Sequence, residues 1–257
     1  MKIITYSDLH LEFGANTVPA PQDSADLMVL AGDIITFKDF APLTKFLKQW
    51  KKPVLYVAGN HEYYTLSDMR DNAAAFKSWL AEEQPHVHFL QDEAITIDGI
   101  QFFGGTMWTD FSGANMKAMI TAKQTMNDFR YIFAESGKFL HPADTVHMHE
   151  AFVEKLVTWF ETELSGSRIV ITHHAPVINP NTQHRNSPLA PAFNSLDMVD
   201  IISKYQPHLW IYGHTHECDN QRIGKTQVIS NQSGYPNRDG SVECKDFDSA
   251  GLRVEVE

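Results

Sequence analysis

Carboxylate, amide and imidazole side chains recur along this chain in short clusters: Asp8-Leu9-His10, Gly32-Asp33, Gly59-Asn60-His61-Glu62, His173-His174 and Gly213-His214-Thr215-His216. These are metal-ligating groups. A mixed nitrogen and oxygen donor set suits Mn, Fe, Zn, Co or Ni, whereas oxygen alone would suit Mg or Ca. Two Asp, one Asn and three or four His exceed one tetrahedral site, and they fill two adjacent sites if one carboxylate bridges. Asp33, midway in the order and preceded by a glycine that allows close backbone approach, is the expected bridge. Two divalent cations against two carboxylates leave a local charge of about +2, which attracts and polarises phosphate. Asp8 and His10 are two apart at a strand end, so their side chains are expected to point the same way and reach one ion, with His214 and His216 repeating the arrangement. Adjacent side chains diverge, so His173 is the expected direct ligand and His174 lies behind it or on substrate.

Each cluster follows an apolar, β-branched run, which places it where a buried strand ends. Residues 2 to 6, 27 to 32, 53 to 58, 168 to 172 and 208 to 212 read as those strands, and their ends would meet at one site. Amphipathic patterns over 39 to 50, 67 to 83 and 144 to 164 predict helices. Between 87 and 108 two β-like runs flank Asp98-Gly99, a dipeptide that favours a tight hairpin turn. A further alternating pair, 225 to 230 and 252 to 256, closes the chain. Mixed strand types predict an α/β sandwich of two mixed sheets with helices outside, in a single domain over residues 1 to 257. Residues 109 to 143 and 176 to 195 read as loops able to overhang the site, one carrying Arg130 and the other His184 and Arg185.

The formal net charge of −11 disfavours a protein that grips extended duplex nucleic acid through a basic face. It leaves a small anionic substrate open, because bound cations would set the local field. No apolar run suits a membrane span, and Asp8 comes too early for a signal peptide, so a cytoplasmic protein without membrane association is expected. The two cysteines, Cys218 and Cys244, read as thiols. Arg130, Arg185 and His174 are candidate substrate contacts, since guanidinium forks match phosphate oxygens. His86, His88, His141, His147 and His149 are expected to be solvated, and Tyr63 and Tyr64 to pack behind the GNHE cluster.

The order DxH, GD, GNHE, HH and GHTH, running from Asp8 to His216, resembles the calcineurin-like metallophosphoesterase family. The resemblance implies a four-layered α/β sandwich with metals at the C-terminal strand ends. It implies one ion held by Asp8, His10, Asp33 and His216 and a second held by Asp33, Asn60, His173 and His214. It implies that His61 contacts phosphate or protonates the leaving oxygen, while a metal-bridging hydroxide attacks phosphorus in line. No nucleotide cofactor or obligate protein partner is implied. The pattern is similar to small bacterial phosphodiesterases, which favours a small phosphodiester over a phosphomonoester. A phosphoprotein phosphatase and a non-catalytic scaffold are the alternatives. Where bacterial relatives often carry Asn-Pro-Arg-Gly-Tyr, this chain has Asn231-Gln232-Ser233-Gly234-Tyr235, which removes the arginine that turn could offer to phosphate.

Overall fold

The computed structural model of the protein describes residues 1–14, 19, 21–135 and 137–256. Its strands are β1 (Lys2–Tyr6), β2 (Leu27–Ala31), β3 (Val54–Val57), β4 (Val87–Phe89), β5 (Glu93–Ile97), β6 (Ile100–Gly105), β7 (Phe133–Glu135), β8 (Lys138–Phe139), β9 (Arg168–Thr172), β10 (Leu209–Tyr212), β11 (Asp219–Ile223), β12 (Thr226–Ser230) and β13 (Leu252–Glu255). One sheet has the order β13-β1-β2-β3-β4 and a second the order β11-β12-β10-β9-β6-β5. β1 to β4 run parallel in one sheet, as do β6, β9, β10 and β12 in the other. Antiparallel edges make both sheets mixed.

Period-two alternation explains how the layers stack. Ile3, Val29, Leu55 and Val57 from the first sheet meet Phe102, Ile171, Ile211 and Ile229 from the second in a core between the sheets. The intervening residues Ile4, Leu30, Val54 and Tyr56 face outward onto helices Ala41–Phe46 and Met69–Glu83 through Phe46, Phe76 and Leu80. Val170, Trp210 and Val228 do the same on the other side, against Phe152, Leu156 and Trp159 of helix Pro142–Glu161 and Ile202 of helix Met198–Tyr205. Helix, sheet, sheet and helix form the expected four layers.

The Asp98-Gly99 turn joins β5 to β6 with φ 48° and 81° at its two central residues, the left-handed pair that a type I′ turn requires. The run before it is split: β4 edges the first sheet and β5 the second. The closing pair of alternating runs also parts company, since β12 lies beside β10 and β13 pairs with β1. The expected helix over 39 to 50 is α-helical only to Phe46, with a 3-10 turn over Leu47–Gln49. Residues 109 to 143 are not loop. They form the helices Phe111–Ala114, Met116–Thr125 and Asp128–Tyr131 and the β7-β8 hairpin. The middle helix buries only Ala118 and Ala122, too small a stripe to register as amphipathic, and Asn115 caps it by accepting from Ala118 N. Residues 176 to 195 are mostly irregular, with one helical turn, Ala190–Phe193. His149 is buried rather than solvated, because Nδ1 faces Met107 O at 3.2 Å and Nε2 faces Asp197 Oδ2 at 2.9 Å.

Candidate metal centre

β1, β2 and β3 end beside β9 and β10, and every expected ligand sits just past one of these five ends. The geometry departs from simple strand alternation. Asp8, His10, Asp33, His214 and His216 all have positive φ, between 45° and 76°. An L-residue held there costs on the order of 1–3 kcal/mol, so the surrounding fold fixes these side chains at a local expense. Asp8 and His10 therefore converge through left-handed turns, not through strand pleat. His214 and His216 do not share a target: His214 Nδ1 lies 3.1 Å from His173 Nε2, whereas His216 Nε2 lies 3.3 Å from His10 Nε2.

His10, Asp33 and His61 form a donor cluster that lies between two others, Asp8, His10 and His216 on one side and Asp33, His173 and His214 on the other, with Asn60 Oδ1 3.1 Å from His173 Nε2. Asp33 touches both: Oδ1 is 3.4 Å from His173 Nε2 and Oδ2 is 3.9 Å from His10 Nε2. Gly59 makes this possible, because a Cβ there would overlap Asp33 Oδ1. His174 is buried behind this layer, its Nδ1 facing Thr106 O at 3.2 Å and its ring packed on His214.

The donor chemistry fits cations. His173 Nδ1 faces the Ala31 carbonyl at 3.0 Å, which uses the ring's proton and leaves Nε2 as a lone pair. Burial holds this imidazole neutral down to about 4. Its lone pair then faces Asn60 Oδ1 and His214 Nδ1, and burial lowers His214 as well. Electron-rich atoms so close together call for a positive ion between them. In the other cluster Glu12 Oε1 faces His10 Nδ1 at 3.3 Å and Glu243 Oε2 faces His216 Nδ1 at 2.6 Å, so both Nε2 atoms point inward. Burial raises the Asp33 carboxyl well above its usual range, and the charges of Glu62 and Asp8 add to this. Burial would raise Asp8 too, but His216 and the neighbouring imidazoles bring it down to about 2.

His216 sets a pH dependence. Burial alone would lower it, yet hydrogen bonds to Asp8 and Glu243 raise it from 6.5 to about 9. A raised folded-state pKa gives stabilisation that is complete below 6.5 and lost as pH rises through about 9. In chelator-treated protein this contribution should therefore fall away over that window, and a cation that replaces the proton should restore it. The gain in Tm on adding Mn(II) is expected to widen from pH 6.5 to pH 9, read by thermal melts with and without chelator. A gain that is flat across this range would remove His216 from the metal-binding set.

Glu12, Glu62, Tyr235, Glu243 and Asp128 escaped the sequence reading. Glu12 also lies 3.4 Å from His61 Nδ1, and its carboxyl is held at about 2, the two histidine hydrogen bonds overcoming burial. Its position two residues after His10 was a usable signal. Glu62, visible in GNHE, accepts from Asp33 N, Ile34 N and Gly59 N and from the Tyr56 hydroxyl. Tyr235 stacks on His10, and its hydroxyl is 2.9 Å from His61 Nε2, so the Asn231–Tyr235 turn reaches the site through tyrosine although Ser233 does not. Asp128 and Glu243 lie in segments with no cluster to mark them. Of the arginines expected at substrate, Arg185 lines a cavity of 430 Å³ that opens from Asp33, His61 and His214. Arg130 does not line it, and its guanidinium donates to the Gln124 carbonyl. Tyr63 packs in the core as expected, but Tyr64 lines the cavity. Cys218 and Cys244 are free thiols. Among the described residues no helix is long and apolar enough to cross a membrane.

An α/β sandwich with carboxylate, amide and imidazole donors at its strand ends is the architecture of a metal-binding hydrolase. The model of the calcineurin-like phosphoesterase family matches residues 1–218, and the chain belongs to that family. An uncharacterised protein of Acanthamoeba polyphaga mimivirus is 27% identical over 268 residues, covering 91% of this chain and 92% of that one. A UPF0046 protein of Caenorhabditis elegans is 23% identical over 229 residues, 84% of this chain but 64% of the worm protein. Among solved structures, the phosphopantetheinyl hydrolase of Mycobacterium tuberculosis shares the fold at a TM-score of 0.71 and 18% identity, with 91% of this chain and 90% of that chain covered. A Thermus thermophilus protein follows at 0.56 and 15%, with 90% and 88% covered.

Proposed function

We propose that this chain hydrolyses small phosphodiesters at a centre of two divalent transition-metal ions. The observation that carries the reading is Asp33, whose two oxygens face different donor clusters, an arrangement in which one carboxylate can bridge two ions. The first ion would be held by Asp8, His10, Asp33 and His216 and the second by Asp33, Asn60, His173 and His214. When bound, such ions supply Lewis-acid polarisation of a phosphoryl oxygen and lower the pKa of water.

The chain's own residues do the rest. Glu12 fixes His61 with Nδ1 protonated, which leaves Nε2, now accepting from the Tyr235 hydroxyl, as the atom that trades a proton with phosphate or leaving oxygen. Arg185 is the one arginine lining the cavity among the described residues, and a single guanidinium suits a monoanionic diester better than a dianionic monoester. Ile178, Leu189 and Phe193 give the wall an apolar stretch for the second ester group. A cavity of 430 Å³ takes a small molecule rather than a duplex or a folded protein.

Elemental analysis of Mn, Fe, Zn, Co and Ni, followed by kinetics on bis- and mono-nitrophenyl phosphate, tests the reading. About two ions per chain and a diester preference are expected. A monoester preference of about a hundredfold would overturn the substrate class, and an inert, metal-free protein would point to the scaffold alternative. Phosphopantetheine esters belong in the substrate panel, although the hydrolase named above is similar only in fold. His61→Ala should spare metal content and cut turnover by about 10²–10⁴, most for poor leaving groups. Equal loss for good and poor leaving groups would deny it the proton.

A further inference from the structure

We infer that Asp128, acting with Tyr64, is a positioning residue that fixes the Asn60 amide with Oδ1 turned to the metal centre; the inference rests on the two-ion reading above. A primary amide can sit either way round. Only one way presents an oxygen lone pair to a cation, and the other presents two N–H groups that repel it. The structure shows what selects between them.

Asn60 Nδ2 donates to Asp128 Oδ1 at 2.9 Å and to the Tyr64 hydroxyl at 3.1 Å. The Tyr64 hydroxyl donates in turn to the same Asp128 oxygen. Asp128 Oδ1 accepts from both groups, and an accepting oxygen faces Nδ2 and rejects Oδ1. Turning the amide over would set its oxygen against the Asp128 oxygen, whereas the His173 Nε2 lone pair, now 3.1 Å from Oδ1, would accept an amide N–H; the contact with Asp128 is therefore what holds the oxygen toward the centre. By accepting from Nδ2, the Asp128 oxygen draws electron density through the amide onto Oδ1, the effect by which outer partners strengthen a ligand.

Tyr64 does a second thing with the same contact. Its ring packs on His61 with centroids 4.2 Å apart, so the hydroxyl that Asp128 holds also sets the face against which His61 rests. Asp128 itself does not reach the centre, since Asn60 stands between. It arrives from 68 residues along the chain, on the short helix Asp128–Tyr131.

The test titrates metal-free protein with Mn(II) alone, using a competing chelating indicator to resolve the two affinities. Wild type should bind two ions. Asp128→Ala should weaken one of them by about 10- to 100-fold and leave the other unchanged, and Asp128→Asn, which keeps an oxygen acceptor, should recover most of the loss. On an Asn60→Ala background, Asp128→Ala should cost no further affinity, a result that a merely structural role would not give. Tyr64→Phe keeps the ring and loses the hydroxyl, so it should weaken the same ion severalfold even if the alanine variant fails to fold. Two ions bound with wild-type affinity in the folded variants would overturn the inference, as would equal weakening of both. Wild-type protein that takes up no Mn(II) would overturn the two-ion reading and this inference with it.

Discussion

Asp33→Asn is expected to release both ions together and to lower kcat/KM by about a thousandfold or more. The carboxylate is buried, carries one oxygen toward each donor cluster, and has its Oδ1 set by the His61 amide at 2.9 Å. An amide in its place offers one oxygen and one NH₂, so whichever cluster meets the nitrogen loses a donor and gains a repulsive group. The negative charge that balances the cations is lost from both sites at once. Metal content by elemental analysis is the decisive reading, taken alongside a melt of the metal-free form. Because burial and the charges of Glu62 and Asp8 raise the Asp33 carboxyl, the metal-free variant should be no less stable than wild type at neutral pH. Loss of a single ion would remove Asp33 from the bridging role.

Glu62→Gln should be the most destabilising single-atom change near the site. Oε1 accepts from Ile34 N at 2.9 Å and from the Tyr56 hydroxyl at 2.6 Å, while Oε2 accepts from Asp33 N at 2.9 Å and Gly59 N at 2.7 Å. Glutamine must turn an NH₂ toward one of these pairs, leaving buried donors facing donors and removing the charge that held them. The expected loss is about 3–5 kcal/mol, the range for stripping one partner from a buried, hydrogen-bonded charge. For a chain of this size that lowers Tm by about 10 °C. Thermal melts of chelator-treated protein isolate the effect from metal binding. A shift under about 3 °C would show that Glu62 is not the anion holding the β2 and β3 ends together.

The residues that converge were legible because each carries a distinctive side chain after an apolar run, and the two sheets were legible because β1, β2, β3, β9 and β10 alternate or bury cleanly. Why the ligands converge was less legible. Pleat geometry suggested that Asp8 and His10 point together, but the backbone at both is left-handed, and local spacing carries no signal for that when the residues are not glycine. The same blindness hid the divergence of His214 and His216. Segment 109 to 143 shows no amphipathic signal in the sequence because helix Met116–Thr125 buries alanines, and its role in bringing Asp128 to Asn60 depends on a contact 68 residues apart. Glu243 was invisible for a similar reason: its partner His216 lies 27 residues away and nothing near it repeats. Tyr64 was expected to pack, and it does, but a hydroxyl that also sorts the two ends of an amide is a three-body property no pairwise motif contains.

The split of the donors between the two sheets bears on how the protein is made. Asp8, His10, Asp33 and Asn60 come from the first sheet, whereas His173, His214 and His216 come from the second. During synthesis the first 60 residues leave the ribosome with half a coordination sphere and nothing to close it. A pair of ions held as proposed above would not be enclosed until residue 216 has emerged and the sheets have stacked, and would then rivet the early half of the chain to the late one.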